Sequence, residues 1–170
     1  MNLLTPRLRL RPFQVADINA TYLGWLNDPE VTRFSNQRFH QHTAESCAAY
    51  LESFAGSSNS FLLITQLQDQ RPIGTATVYR NNWHCTADIG LMVGEKRCWG
   101  QGYGREAWQV LLEALLSETG IRKVTGGTAR LNQAMVRIME QSGMDLEAVR
   151  VHQELIDGQP VDLLYYARFA

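Results

Sequence analysis

The sequence has no apolar run long enough to cross a bilayer, few cysteines and almost no net charge, and each shortage closes a class of function. A membrane-spanning helix needs about 20 consecutive apolar residues. None is present, and Met1 to Pro12 alternates leucine with arginine instead of forming the apolar centre of a signal peptide. The expectation is a cytoplasmic chain that touches no membrane. The three cysteines, Cys47, Cys85 and Cys98, are odd in number and lack a C-x-x-C pair, so neither a disulfide framework nor a zinc knuckle is indicated. His40 and His42 can share one side of an extended segment, but no third ligand stands at a recognisable spacing, and no metal site is expected. Sixteen Lys and Arg against seventeen Asp and Glu leave a formal charge of -1, so no global field draws the protein to nucleic acid.

What remains is an ordinary globular mixture. The 170 residues, 45% hydrophobic and 19% charged, suit one domain over residues 1–170, without repeats or linkers. Leu4, Leu8 and Leu10 alternate with Arg7, Arg9 and Arg11, the period of one half-buried strand ending at Pro12. Asp17 is expected to cap a helix running towards Asn27, and a second helix fits Thr43 to Phe54. Phe61 to Gln68 and Pro72 to Arg80 read as a hairpin around Asp69-Gln70-Arg71, and Cys85 to Val93 as a further strand. A long helix from the glycine loop Gly100 to Gly104 reaches about Thr119, carrying Trp108, Leu111, Leu112 and Leu115 on one face. Ile121 to Thr128 is a strand, and Asn132 to Ser142 a helix closed by Gly143. Leu146 to Leu155 and Val161 to Phe169 are strands joined at Asp157-Gly158-Gln159-Pro160. This order gives a mixed α/β class, with the two later helices able to act as crossovers between parallel strands.

The strongest chemical signal is Trp99-Gly100-Gln101-Gly102-Tyr103-Gly104-Arg105, between a strand and a helix. Glycines let backbone N–H groups form a concave nest, and the helix start adds positive partial charge, so the segment suits a pyrophosphate. The same glycines also serve a plain strand-to-helix turn. A dinucleotide fingerprint would need glycine where Arg105 stands, and a P-loop would need Gly-Lys followed by Ser or Thr; neither occurs. The missing Lys-Ser/Thr disfavours a nucleotide-dependent kinase or ligase.

Trp99-x-x-Gly102-x-Gly104 resembles the acetyl-CoA loop of the GNAT N-acetyltransferases, with Trp99 where the family pattern has Gln or Arg. Other segments resemble the ribosomal-protein acetyltransferase branch: Thr5 to Pro12, Trp25 to Val31, Ala87-Asp88-Ile89-Gly90, and Asn132 followed by Gly143. The resemblance implies a twisted mixed sheet of about seven strands with about four helices, opened like a V between central strands. It implies acetyl-CoA as co-substrate, held by the main chains of Leu91, Met92 and Val93, by Trp99 to Arg105, and by Asn132. An unpaired strand edge offers donors and acceptors to an amide-bearing arm. Asn132 is equally a helix N-cap.

Acetyl transfer needs a neutral amine, whereas a lysine-type ammonium titrates near about pH 10.4, so a proton acceptor is useful. By resemblance Asp88 stands where some members carry a carboxylate base, usually the longer Glu, and would act through a bridging water. The alternative is a strand-edge carboxylate that accepts backbone hydrogen bonds. His84 is the reserve base, or a solvated turn histidine. Glu106 suits the helix start as a first-turn acid. The family's usual thiolate donors, a Tyr or a Ser on the second crossover helix, are Met139 and Met135 here, leaving water or direct release as thiolate. Cys85 has only His84 beside it, on the opposite face of a strand, so direct attack is expected and not an acyl-cysteine.

The acceptor side in this family is built from the first two helices and the last hairpin, which nominates Trp25, Asn27, Asp28, Glu30, Phe34 and Tyr165. The branch implies a protein or peptide α-amine; similar domains acetylate amino sugars and small polyamines. Asp28 and Glu30 beside Trp25 can attract a cationic amine, or form only a solvated helix stop. A monomer or homodimer is expected. A non-catalytic acyl-CoA-binding module is the reading of another class.

Overall fold

The alternating leucines and arginines of the N-terminus fold back on themselves in the computed structural model, which describes residues 1–170. Strand β1 (Leu3–Leu4) pairs antiparallel with β2 (Leu8–Pro12), so the single strand expected there is a hairpin. Thr5 closes its turn: the Thr5 N–H donates to the Leu8 carbonyl at 2.9 Å, and Thr5 Oγ1 accepts from the Leu8 N–H at 2.8 Å. Pro6 has no N–H to offer a strand partner, which favours the break. The sheet therefore has eight strands and not seven.

Helix α1 (Ala20–Leu26) is capped by Asn19, whose Oδ1 accepts from the N–H groups of Thr21 and Tyr22. Asp17 does not cap it. The planar fork of Arg11 holds both Asp17 oxygens at 2.7 Å, and Oδ2 also accepts from the Gln14 N–H at 2.8 Å, so the carboxylate closes the short turn before α1. The second helix expected over Thr43 to Phe54 is α2 (Ala44–Glu52), capped by Thr43 in a reciprocal box with Ser46. Strands β3 (Ser60–Gln66) and β4 (Pro72–Asn81) form the expected hairpin. Then follow β5 (Thr86–Val93), α3 (Tyr103–Leu116), β6 (Lys123–Ala129) and α4 (Gln133–Gln141), and finally β7 (Asp145–Ile156) and β8 (Gln159–Phe169). The last hairpin turns on two residues, Asp157 (φ 53°) and Gly158 (φ 75°), while Gln159 and Pro160 already belong to β8. Paired positive φ values match the twist of the flanking strands better than a longer loop.

All strands lie in one mixed sheet, ordered β1-β2-β3-β4-β5-β6-β8-β7. The one parallel contact, β5 with β6, holds for Thr86, Ala87 and Asp88 only. Beyond it β5 stays with β4 as far as Val93, while β6 follows β8 as far as Ala129. The sheet consequently opens into the expected V, with Asp88 and Thr125 at its apex.

Two cores flank the sheet. On one side α3 buries Trp108, Leu111, Leu112 and Leu115 against Leu8, Leu10, Ile64, Val78 and Val124. Gly126 is required there, since a Cβ would meet the Trp108 ring at 2.6 Å. On the other side α1 and α2 bring Tyr22, Trp25, Leu26 and Cys47 onto Phe13, Phe61 and Leu63.

Candidate active site

Leaving β5, the chain makes a short 3-10 turn at Lys96–Cys98 and enters the glycine loop. Gly100 (φ 73°) and Gly102 (φ 81°) both take left-handed conformations that disfavour side chains. Gly102 is also the N-cap of α3. The first-turn N–H groups of Tyr103, Gly104 and Arg105 thus lack helical partners, and the positive end of a 14-residue helix lies behind them. Donors and dipole together make an anion cradle.

The cradle is braced by a residue that sequence reasoning missed. Arg7 pairs with Glu106 at 2.6 Å, and its Nη1 donates to the Gln101 carbonyl at 3.1 Å. Its guanidinium also covers the Tyr103 ring at 4.2 Å. Burial raises the Glu106 pKa, but hydrogen bonds from Thr5 and Arg7 outweigh it and hold the carboxyl below its ordinary range. The available signal was Arg7 itself, inside the Thr5 to Pro12 segment.

Past Asp88 the edge of β5 nearest β6 has no strand partner. Leu91 and Val93 pack towards the α3 core, Met92 towards the α1 and α2 core. The Val93 carbonyl is already used, because Trp99 Nε1 donates to it at 2.7 Å. Trp99, 39% exposed, therefore fastens the loop to the strand end.

At the apex Asp88 Oδ2 accepts from Thr125 Oγ1 at 2.6 Å. Desolvation by the flanking strands pushes the Asp88 pKa up, partly countered by the Thr125 hydroxyl, although the side chain keeps access to solvent. Gly90, the next residue on the same face, lies about 7 Å further along at the usual strand rise. His84 is not brought to this point. It is exposed in the β4–β5 turn, its carbonyl bound by Arg122 Nε at 3.0 Å, at the closed end of the V and before Thr86, itself about 13 Å of strand from Gly90. Cys85 sits in the same turn with φ 53°.

Asn132 caps α4: Oδ1 accepts from the Met135 N–H at 3.3 Å, and Nδ2 donates to Thr128 Oγ1 at 3.1 Å. One amide hydrogen remains. Met139 is fully buried in the core, whereas Met135 is half-buried and lines the cleft.

The glycine loop, Trp99, the free edge of β5 from Ile89 to Val93, Asn132 and Met135 border one continuous cleft of about 1280 Å³, which Asp88 and Thr125 do not line; it is larger than the ~300–1,000 Å³ of single-ligand pockets. The loop and α4 form one half, with Arg105 and Arg137; residues 30–42 and α2 form the other. Of the residues nominated for the acceptor, Glu30 and Phe34 line the cleft. The other four do not. Trp25 is 7% exposed in the core, under Gly94. Asn27 exchanges two 2.9 Å hydrogen bonds with the His42 backbone, tying α1 to the start of α2. Asp28 and Glu30 both grip Lys96, at 2.8 and 2.9 Å, so they anchor the turn before the loop. The pKa of Asp28 is lowered chiefly by Lys96. Tyr165 lies against Gly127 beneath Arg150. Tyr50, absent from the sequence reading of the site, lines the cleft and meets the Tyr79 hydroxyl at 2.7 Å. No group of three or more His, Cys, Asp or Glu is placed to hold a metal ion, and no helix is long and apolar enough to cross a membrane.

Residues 7–145 match the family model described as "Acetyltransferase (GNAT) domain". No curated protein matches. An acetyltransferase of the GNAT family from Bacillus anthracis superposes with a TM-score of 0.84 at 20% identity, over 99% of this chain and 98% of its own. A spermidine N-acetyltransferase from Vibrio cholerae, in complex with CoA and spermine, gives 0.86 at 16% identity over 97% and 96%. A ribosomal L7/L12 α-N-protein acetyltransferase in complex with coenzyme A gives 0.85 at 18% over 98% and 96%. At such identities the likeness is one of fold.

Proposed function

The chain belongs to the GNAT acetyltransferase family, and we propose that it transfers acetyl from acetyl-CoA to a primary amine by direct attack. The observation that carries this reading is the adjacency of the Gly100–Gly104 cradle to a strand edge that opens at Asp88. The residues present fit the co-substrate. First-turn N–H groups of α3 suit its pyrophosphate, Arg105 and Arg137 add positive charge, and the free β5 edge and the spare Asn132 amide hydrogen suit its amide-bearing arm. When bound, acetyl-CoA supplies an activated acyl carbon and a thiolate leaving group.

Asp88 accepts the amine proton. Its raised pKa brings it closer to working pH, which favours a base, and its side chain, shorter than a Glu, reaches the amine through one intervening water. Thr125 fixes the carboxylate. Neither methionine can donate a proton to the thiolate, so solvent in the open cleft does so or the thiolate leaves unprotonated. The three free cysteines suit a reducing cytoplasm.

For the acceptor, the resemblance to an α-N-protein acetyltransferase supports a peptide or protein α-amine. An amino sugar is the second reading, favoured by the uncharged hydrogen-bonding groups Ser35, Gln37, Gln41 and Ser46 on the cleft wall. The test is titration calorimetry with acetyl-CoA together with thiol release across peptides, amino sugars and polyamines. Binding without thiol release from any amine would instead make the protein an acyl-CoA-binding module.

A further inference from the structure

Which amines a cleft holds depends on the carboxylates still free to meet them. In the acceptor half the lining contains one carboxylate, Glu30, and Lys96 holds it together with Asp28. Asp157, Glu154 and Glu45 lie nearby but outside the lining; the first two pair with Arg33 at 2.8 Å and Arg38 at 3.8 Å. On the proposed mechanism Asp88, at the apex, takes the proton of one amine. A second or third ammonium on the acceptor would meet no carboxylate in this wall except Glu30, which Lys96 holds, and would approach the Arg33 guanidinium.

Arg33 itself is not firmly committed. It lines the cleft, and its pair with Asp157 is exposed at 52% and 70% of the two side chains, a setting in which ion pairs contribute little. Its guanidinium lies 5.4 Å from the Phe34 ring, which keeps it at the wall. A planar fork of this kind takes a carboxylate or phosphate in bidentate fashion, and a ligand anion can replace Asp157 there.

Resting on the acetyltransferase reading, we propose that the acceptor is a monoamine that also carries an anionic group, and that Arg33 receives that group. The chemistry is shared by an acidic peptide bearing a free α-amine and by a phosphorylated amino sugar. It excludes polyamines, so the fold shared with a spermine-bound enzyme does not extend to its acceptor.

The experiment measures kcat/KM with saturating acetyl-CoA for three comparisons: glucosamine 6-phosphate against glucosamine, an aspartate-rich against a lysine-rich peptide with the same first residue, and spermidine. The anionic member of at least one pair should lead by about tenfold or more, the worth of one charge-assisted contact. Which pair shows it identifies the source of the anion. In Arg33→Glu the lead should vanish or invert while acetyl-CoA affinity is unchanged. Equal rates within both pairs, preference for spermidine, or a lead that survives Arg33→Glu would overturn the proposal. Silence of every amine with acetyl-CoA still bound would overturn the transferase reading, and this one with it.

Discussion

Arg7 holds Glu106 across 99 residues of sequence: Nε donates to Oε2 at 2.6 Å and the Arg7 N–H to Oε1 at 3.0 Å. Thr5 Oγ1 donates to the same Oε1 at 2.5 Å. Because Arg7 Nη1 also holds the Gln101 carbonyl, the N-terminal hairpin sets the position of the glycine loop.

Arg7→Met should therefore raise KM for acetyl-CoA, by about tenfold for a small displacement of the donors. With S-acetyl-pantetheine, which has no pyrophosphate, KM should stay unchanged. A defect of equal size with both donors would mean general loss of structure. The brace has a pH limit of known sign: a carboxyl with a depressed folded pKa stabilises above the ordinary carboxylate range and loses that contribution as pH falls through the lowered value. Acetyl-CoA affinity of the wild type should fall in strong acid more than that of Arg7→Met.

Asp88→Asn should lower kcat by about 10²-fold or more, as expected on losing a general base, with little change in acetyl-CoA affinity by calorimetry. Stability should move the other way. A carboxyl with a raised folded pKa contributes stability at low pH and loses it as pH rises through that pKa, so at neutral pH the wild type carries a cost that the amide removes. The melting temperature of Asp88→Asn at neutral pH should equal or exceed that of the wild type. A wild-type rate would remove Asp88 from the mechanism.

Gly102 has φ 81° and would place a Cβ 3.5 Å from Arg7 Nη2. Gly102→Ala should cost about 1 kcal/mol in unfolding free energy, the usual penalty for a left-handed non-glycine residue. Gly102→Asp adds a negative charge where phosphate must approach and should abolish acetyl-CoA binding in a chain that still folds by circular dichroism.

Met139→Tyr restores the family's side chain but should not restore its chemistry. Met139 is 0% exposed within the α3 core, so the larger ring should lower stability by about 1–3 kcal/mol through overpacking, with no gain in kcat. Met135→Ser, at the cleft wall, should fold nearly normally. Denaturant melts and steady-state rates of both variants check this.

The sequence alone determined the features that rest on local rules. Glycines after a strand marked the loop that takes positive φ values before α3, apolar spacing marked α3, and Thr43, Asn132 and Gly143 marked helix ends. A cap or a helical face involves residues within a few positions, so its partners can be read along the chain. Tertiary structure decided the rest. Lys96 reaches Glu30 across 66 residues and turns an apparent cation trap into an anchor, and Arg11 withdraws Asp17 from the helix it precedes. Trp25 fills a core position beneath Gly94, and His84 is left at the closed end of the V because β5 and β6 are paired from Thr86 to Asp88 and part only beyond it. Charge availability is a property of pairs. Long, flexible side chains choose their partners by proximity in the folded state, so the sequence shows which charges exist while the packed structure shows which remain free to meet a ligand.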